Sequence, residues 1–267
     1  MQHHLVAHLV RYGLLAFAWM VLLFLMLPVL AVIPLSFNSS PFLTYPLAGV
    51  SLRWYEAVLT SPQWMAALRS SLIVGLATVA VATPLGTLAA FALVRKKMPK
   101  AHMLMGLLLL PMALPVVVLA LALYMFLTRV GLANSYAGLI IAHSVLATPF
   151  VLVTVTASLA GFDFTQMRAA ASLGAKPLRV FFLVTLPQIA PGVMTGAIFA
   201  FITSWDEVVV ALFVAGPEQR TLPRQMFAGL REQLDPSIMV VATIMIAISV
   251  LLVMLSFLLR WRARQRR

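Results

Sequence analysis

Six nearly continuous apolar stretches, each long enough to cross a bilayer as a helix, constrain this chain more than any other feature. They run roughly Leu14–Leu35, Leu72–Val94, Met103–Leu127, Ala137–Ala160, Ile189–Val214 and Ile238–Leu259. A hydrocarbon core of ~30 Å takes about 20 helical residues at ~1.5 Å each, and all six meet that length. Of the 267 residues, 63% are hydrophobic and only 10% charged, whereas a soluble domain carries about 25% charged residues. So much apolar surface has no soluble core to enter, which makes lipid the solvent for much of the chain. The expected fold class is all-α, a polytopic membrane protein with six transmembrane helices. The first stretch is longer than a signal peptide's apolar region and no small-x-small cleavage site clearly follows, so it reads as a retained helix. The sequence contains no cysteine, which excludes disulfides, thiolate metal sites and cysteine nucleophiles.

The formal charge is +12, and its placement argues for membrane topology and against nucleic acid. Six spans put both termini on one side and sort the loops into two sets. One set, made of the N-terminus, the 95–102 loop, the 161–188 loop and the tail, holds 13 basic residues and the single acid Asp163. The other set, with the adjoining span ends, holds Arg53, Arg69, Arg129, Arg220, Arg224 and Arg231 against the six remaining acids. The whole excess lies on one side, which the positive-inside rule makes the cytoplasm. Residues 1–13 then form a cytoplasmic N-terminus, 14–260 one transmembrane domain, and 261–267 a basic cytoplasmic tail.

Two loops stand out. Residues 36–71 form the longest segment outside the membrane, where Trp54, Tyr55, Trp64 and Met65 suggest short turns at headgroup level. The 161–188 loop reads as helix, turn, helix. Asp163 followed by Gln166 has the spacing of a capping box, Gly174 suits a left-handed C-terminal position, and Pro177 suits the first turn of the next helix. Leu173, Phe181 and Phe182 would leave an apolar surface to be covered. Two coverings are open: a protein partner, or the inner leaflet with Lys176 and Arg179 at the headgroups.

At this loop the sequence resembles the inner-membrane permeases of binding-protein-dependent ABC importers. Their signature is Glu-Ala-Ala, a few variable residues including Leu, then Gly, and later an apolar residue with Leu-Pro. Ala169, Ala170, Leu173, Gly174, Leu186 and Pro187 match it, and Pro191 and Gly192 continue it. Arg168 stands where the family has its acidic residue. The resemblance implies a type I ABC importer permease fold, with Arg168, Ala169, Ala170, Leu173, Gly174 and Ala175 as a coupling helix on a cytoplasmic ATPase. No Gly-x-x-x-x-Gly-Lys-Ser/Thr loop is present, so ATP and Mg belong on that separate chain. The implied partners are two ATPase subunits, a second and different permease chain, and a periplasmic solute-binding protein, in the bacterial inner membrane. This chain itself is then not an enzyme, and no catalytic, cofactor-binding or metal-binding residue is expected in it. A second block, Ser204–Pro217 with Arg220–Met226 and Gly229–Ser237, is similar to the second permease subunits of spermidine and putrescine importers. Opine, amino-acid-like and phosphonate solutes are the alternatives within the same class.

Trp205, Asp206 and Glu207 fall in the outer part of the fifth stretch. Acids at that depth cost several kcal/mol unless they face a partner or a wet cavity. For a polycationic solute the two carboxylates would replace water around ammonium groups and Trp205 would offer a cation–π face; the other reading is an ion pair with Arg220, Arg224 or Arg231. Pro187, Pro191, Gly192 and Gly196 open the same stretch, either as a bend or as a helix-packing face against the partner subunit. His143 reads as a core histidine bonded to a neighbour. Rival classes are a secondary transporter or channel acting alone, for which no inverted repeat is visible, and a scaffold without solute flux.

Overall fold

The structure, a computed structural model, describes residues 2–95, 100–232 and 235–265. Lys96, Lys97, Arg266 and Arg267, which belong to the basic loop and tail of the sequence reading, lie outside the described residues. Every regular element among the described residues is helical, as lipid requires of a chain that must satisfy its own backbone polar groups. The helices are α1 (Gln2–Leu35), α2 (Arg53–Thr60), α3 (Pro62–Arg95), α4 (Ala101–Ala113), α5 (Val116–Arg129), α6 (Tyr136–Leu159), α7 (Thr165–Ser172), α8 (Pro177–Val180), α9 (Leu186–Trp205), α10 (Val209–Val214), α11 (Leu222–Glu232) and α12 (Ser237–Gln265). A π-helical turn, Phe181–Thr185, joins α8 to α9.

Among the described residues, five helices are long and apolar enough to cross a membrane, and the bent pair α4–α5 makes six if it is one span. The chain divides into two compact units, Met1–Ser61 with Gly229–Ile244, and Pro62–Ala228 with Met245–Arg267.

Three boundaries differ from the sequence reading. The segment outside the first two spans ends at Ser61, because Pro62 opens α3 at the position where a missing N–H costs nothing; Trp64 and Met65 are therefore helical. The third stretch is not one straight helix: α4 and α5 meet at 103°. Leu114 is extended (φ −80°, ψ 144°) ahead of Pro115, the conformation that proline imposes on its predecessor. The fifth stretch begins twelve residues earlier than Ile189 and ends at Trp205, since Pro177–Trp205 forms one 29-residue helix. The second arm of the 161–188 hairpin is thus the start of a span.

In the first unit, the loop after α1 folds back on itself. Ser51 N–H donates to the Phe37 carbonyl at 2.8 Å, Trp54 Nε1 donates to the Asn38 carbonyl at 2.9 Å, and Ser36 and Tyr55 share a hydroxyl bond of 2.8 Å.

In the second unit, α3, α6 and α9 pack on one another around fully buried Ala82, Ala147, Val151, Leu152, Val155 and Ile189. Small residues set the spacing, as expected where lipid supplies no hydrophobic force between helices. A Cβ on Gly86 would lie 2.7 Å from Val151 Cβ, and one on Gly196 would lie 2.6 Å from Thr154 Oγ1. A Cβ on Gly192 would collide with the Ser158 hydroxyl. The Gly192/Gly196 face therefore packs against α6 of the same chain, which corrects the expectation that it meets a partner subunit.

Candidate functional site

The hairpin between α6 and α9 is built by local sequence. Phe162, buried, meets Phe164 edge-on at 5.1 Å. Asp163 Oδ1 accepts the Thr165 N–H at 2.8 Å. That N–H, the Thr165 hydroxyl and the charge of Arg168 hold the Asp163 carboxyl below its usual range. The expected capping box does not form. Helix α7 has Phe164 at its N-cap, so Gln166 sits one position too early to reach back; its Oε1 instead accepts from Gln188 Nε2 at 2.5 Å. That bond ties the first arm of the hairpin to the span that follows it.

The turn is as the sequence implies. Gly174 adopts φ +83°, Gly174 N–H donates to the Ala171 carbonyl at 2.9 Å and Ala175 N–H to the Ala170 carbonyl at 3.2 Å, closing the helix as a left-handed cap does. No atom lies near the position a Gly174 Cβ would take, so the backbone conformation, not space, calls for glycine. Lys176 is extended and Pro177 opens α8.

The side chains then separate into an inner and an outer set. Met167 and Val180 are buried, whereas Leu173 is 89% exposed and Leu178 74%. Ala169 is exposed, and Ala170 and Ala175 are half-buried. Arg168 Nη2 donates to Thr165 Oγ1 at 3.0 Å. Phe182 is exposed as expected, but Phe181 is half-buried, packed edge-on against Phe91 at 5.3 Å.

At the opposite end of the same span, α9 stops where the two acids begin. Asp206 is its exposed C-cap residue, and Glu207 lies in the break before α10, where its Oε1 accepts the Val210 N–H at 2.9 Å. The acids are thus not inside a continuous helix, which corrects their placement there. A carboxylate meeting the unsatisfied N–H groups at a helix start gives Glu207 a capping role. Arg220 and Arg224 turn elsewhere, Arg220 Nη1 to Gln225 Oε1 at 3.1 Å and Arg224 Nη1 to the Gly216 carbonyl at 2.5 Å. Trp205 does not offer the expected cation–π face: it is 1% exposed and stacks on Phe201 with centroids 5.5 Å apart.

Pro187 and Pro191 follow the π turn, and Thr195 Oγ1 donates to the Pro191 carbonyl at 2.7 Å. His143 is buried with Nδ1 2.8 Å from Ser204 Oγ, the neighbour bond expected of it. Sequence reasoning missed Ser70, Ser71 and Tyr136. Ser71 Oγ accepts the Leu222 N–H at 2.8 Å and Ser70 shares a 2.8 Å hydroxyl bond with Tyr136. Hydroxyls spaced along an apolar run were the available signal.

A multi-pass chain whose fifth span breaks at one end beside two carboxylates, and carries at its other end a helical knob with uncovered leucines, has the makings of a membrane transport subunit that works with partner proteins. Residues 82–266 match the family of binding-protein-dependent transport system inner membrane components, and the chain belongs to that family. It is 31% identical over 236 residues to the spermidine/putrescine transport system permease protein PotC of Escherichia coli (strain K12), covering 88% of this chain and 89% of PotC. It is 33% identical over 251 residues to the putrescine transport system permease protein PotI of the same strain, covering 91% of this chain and 89% of PotI. Among solved structures, its fold is similar to a bacterial ABC transporter involved in the import of the acidic polysaccharide alginate, with a TM-score of 0.68 at 15% identity over 94% of this chain and 95% of that one. The same transporter in complex with an alginate-bound periplasmic protein gives a TM-score of 0.66 at 14% identity, covering 96% of this chain and 94% of that one. The fold is that of a type I ABC importer permease, and the chain is a multi-pass permease subunit of an inner-membrane importer.

Proposed function

We propose that this chain forms half of the translocation pathway of an importer for a polyamine such as spermidine or putrescine, with both termini in the cytoplasm. ATP and Mg sit on two separate cytoplasmic ATPase subunits, a different permease chain supplies the other half, and a periplasmic binding protein delivers the solute. Residues 14–260 act as one permease domain between the cytoplasmic segments 1–13 and 261–267.

The single observation that carries this reading is the knob at 165–178, where Leu173 is 89% exposed at the end of a helix anchored by buried Met167. Arg168, Ala169, Ala170, Leu173, Gly174 and Ala175 form the coupling segment seated on the ATPase. Closure of the ATPase pair would push this knob, and the push passes to the fifth span by two routes: the continuous backbone from Pro177, and the Gln166–Gln188 bond. The π turn and Pro187 weaken the intrahelical ladder at the base of that span, where a bend is least costly. Asp206, exposed at the outer break, is the solute-facing carboxylate, and Glu207 holds α10 in place. The identity of this chain to the permeases PotC and PotI supports the choice of a polyamine.

The test is reconstitution of the complete assembly in liposomes with its binding protein, measuring ATP hydrolysis with spermidine, putrescine and a neutral control solute. Hydrolysis is expected to rise only with binding protein and polyamine together. Solute flux from this chain without an ATPase would contradict the reading.

A further inference from the structure

Between the end of α3 and the hairpin lies a cavity of about 380 Å³. Phe91, Met167, Pro177 and Val180 give it apolar walls, and Arg95 and Arg168 contribute its only charged side chains among the described lining residues. Each guanidinium has a local contact: Arg95 lies over the Phe91 ring at 5.6 Å, and Arg168 donates to Thr165 Oγ1. Neither contact carries a negative charge. Asp163 acts on Arg168 through charge, but its oxygen is turned to Thr165 and it does not line the cavity.

We propose that this cavity binds the phosphate headgroup of an anionic phospholipid. Arg95 is the last described residue of α3 and Phe91 lies one turn earlier, where the apolar run of the second stretch gives way to basic residues, the composition of a headgroup boundary. A phospholipid has a phosphate for the two arginines and an apolar portion for Phe91, Pro177 and Val180. The sequence continues from Arg95 into Lys96, Lys97 and Lys100, the kind of basic cluster beside a span that attracts anionic lipid. Leu173, the exposed apolar residue offered to an ATPase, does not line the cavity, whereas Arg168 and Ala175 of the same segment do, so the lipid site adjoins the surface proposed for the protein partner. Bound there, the phosphate bridges Arg95 on α3 to Arg168 on α7 and ties the hairpin to the second long helix.

The proposal requires that α3 spans the membrane but not which side Arg95 faces, so it stands or falls apart from the importer reading. The experiment is native mass spectrometry of the full chain purified with phosphatidylglycerol and phosphatidylcholine in equal amounts. Wild type is expected to retain phosphatidylglycerol preferentially, and R95Q/R168Q to bind it roughly 25-fold more weakly, at about fivefold per basic side chain. R95K/R168K, which keeps both charges, is expected to retain most of the lipid, and a thermal melt of R95Q/R168Q that matches wild type shows that the Gln pair has not lost binding by misfolding. Equal retention by R95Q/R168Q and wild type would overturn the site, as would loss of preference for the anionic lipid in wild type. Displacement of the lipid by an equal concentration of inorganic phosphate would overturn the lipid as its occupant. So would unchanged lipid retention in R95Q/R168Q accompanied by loss of a co-purified ATPase subunit, which would assign the arginines to a carboxylate on that partner.

Discussion

Helix α6 and the hairpin that follows it are both rich in small and apolar residues, yet they use them in opposite ways. Over half of the α6 window is buried, with Ala147, Val151 and Leu152 fully buried in the cluster that α6 shares with α3 and α9. The hairpin buries Met167 and Val180 and leaves Leu173 and Leu178 uncovered. The difference teaches where the chain is complete in itself. A residue whose neighbours are all supplied by its own chain is there for stability, and an apolar residue held out on a capped turn is there for something else.

The comparison breaks first at Gly192. G192L would drive a branched side chain into Ser158 and the Thr154 backbone of α6, and should destabilise the bundle by about 3 kcal/mol or more, read as a collapse of the thermal melt in detergent. L173D should leave that melt nearly unchanged, since the side chain is 89% exposed, while costing about 2 kcal/mol in association with the ATPase, read by co-purification and loss of stimulated hydrolysis. A comparable loss of melting temperature in L173D would erase the distinction between the two regions. S204A removes the partner of the buried His143 Nδ1 and should cost about 1–2 kcal/mol, with the ATPase still bound. E207Q weakens the acceptor for the Val210 N–H and should cost about 0.5–1 kcal/mol; a much larger fall in solute uptake than in stability would place Glu207 in the pathway together with Asp206.

The sequence pattern made the hairpin turn legible because its determinants are local: Gly174 and Pro177 each impose a backbone conformation within their own few residues. The same locality left a trace of the α4–α5 break, where Pro115 constrains Leu114, but hydropathy runs through it without a dip and a 25-residue stretch reads as one helix. The limits of the fifth span were hidden for two reasons. The π turn joins the helix opened by Pro177 to the span, two elements that the hydropathy pattern keeps apart, and at the opposite end the paired acids act as a stop whose cause, the capping of α10 by Glu207, is not a pattern of hydrophobicity. The partner of Gly192 and Gly196 was out of reach of any window, because Thr154 and Ser158 lie on another helix and lipid-facing and helix-facing small residues look alike in one dimension. The burial of Trp205 went unseen for a similar cause, its neighbour Phe201 being one turn away on a face that hydropathy cannot distinguish.

The absence of native cysteine makes one experiment direct. L173C and M167C, introduced singly, would be labelled with a membrane-impermeant maleimide in inside-out vesicles, with and without the ATPase subunits. Cys at 173 should react rapidly in the chain alone and be protected when the ATPase is bound, while Cys at 167 should be protected in both. Equal reactivity of position 173 with and without a bound ATPase would contradict the claim that this knob is the surface on which the importer couples to its motor.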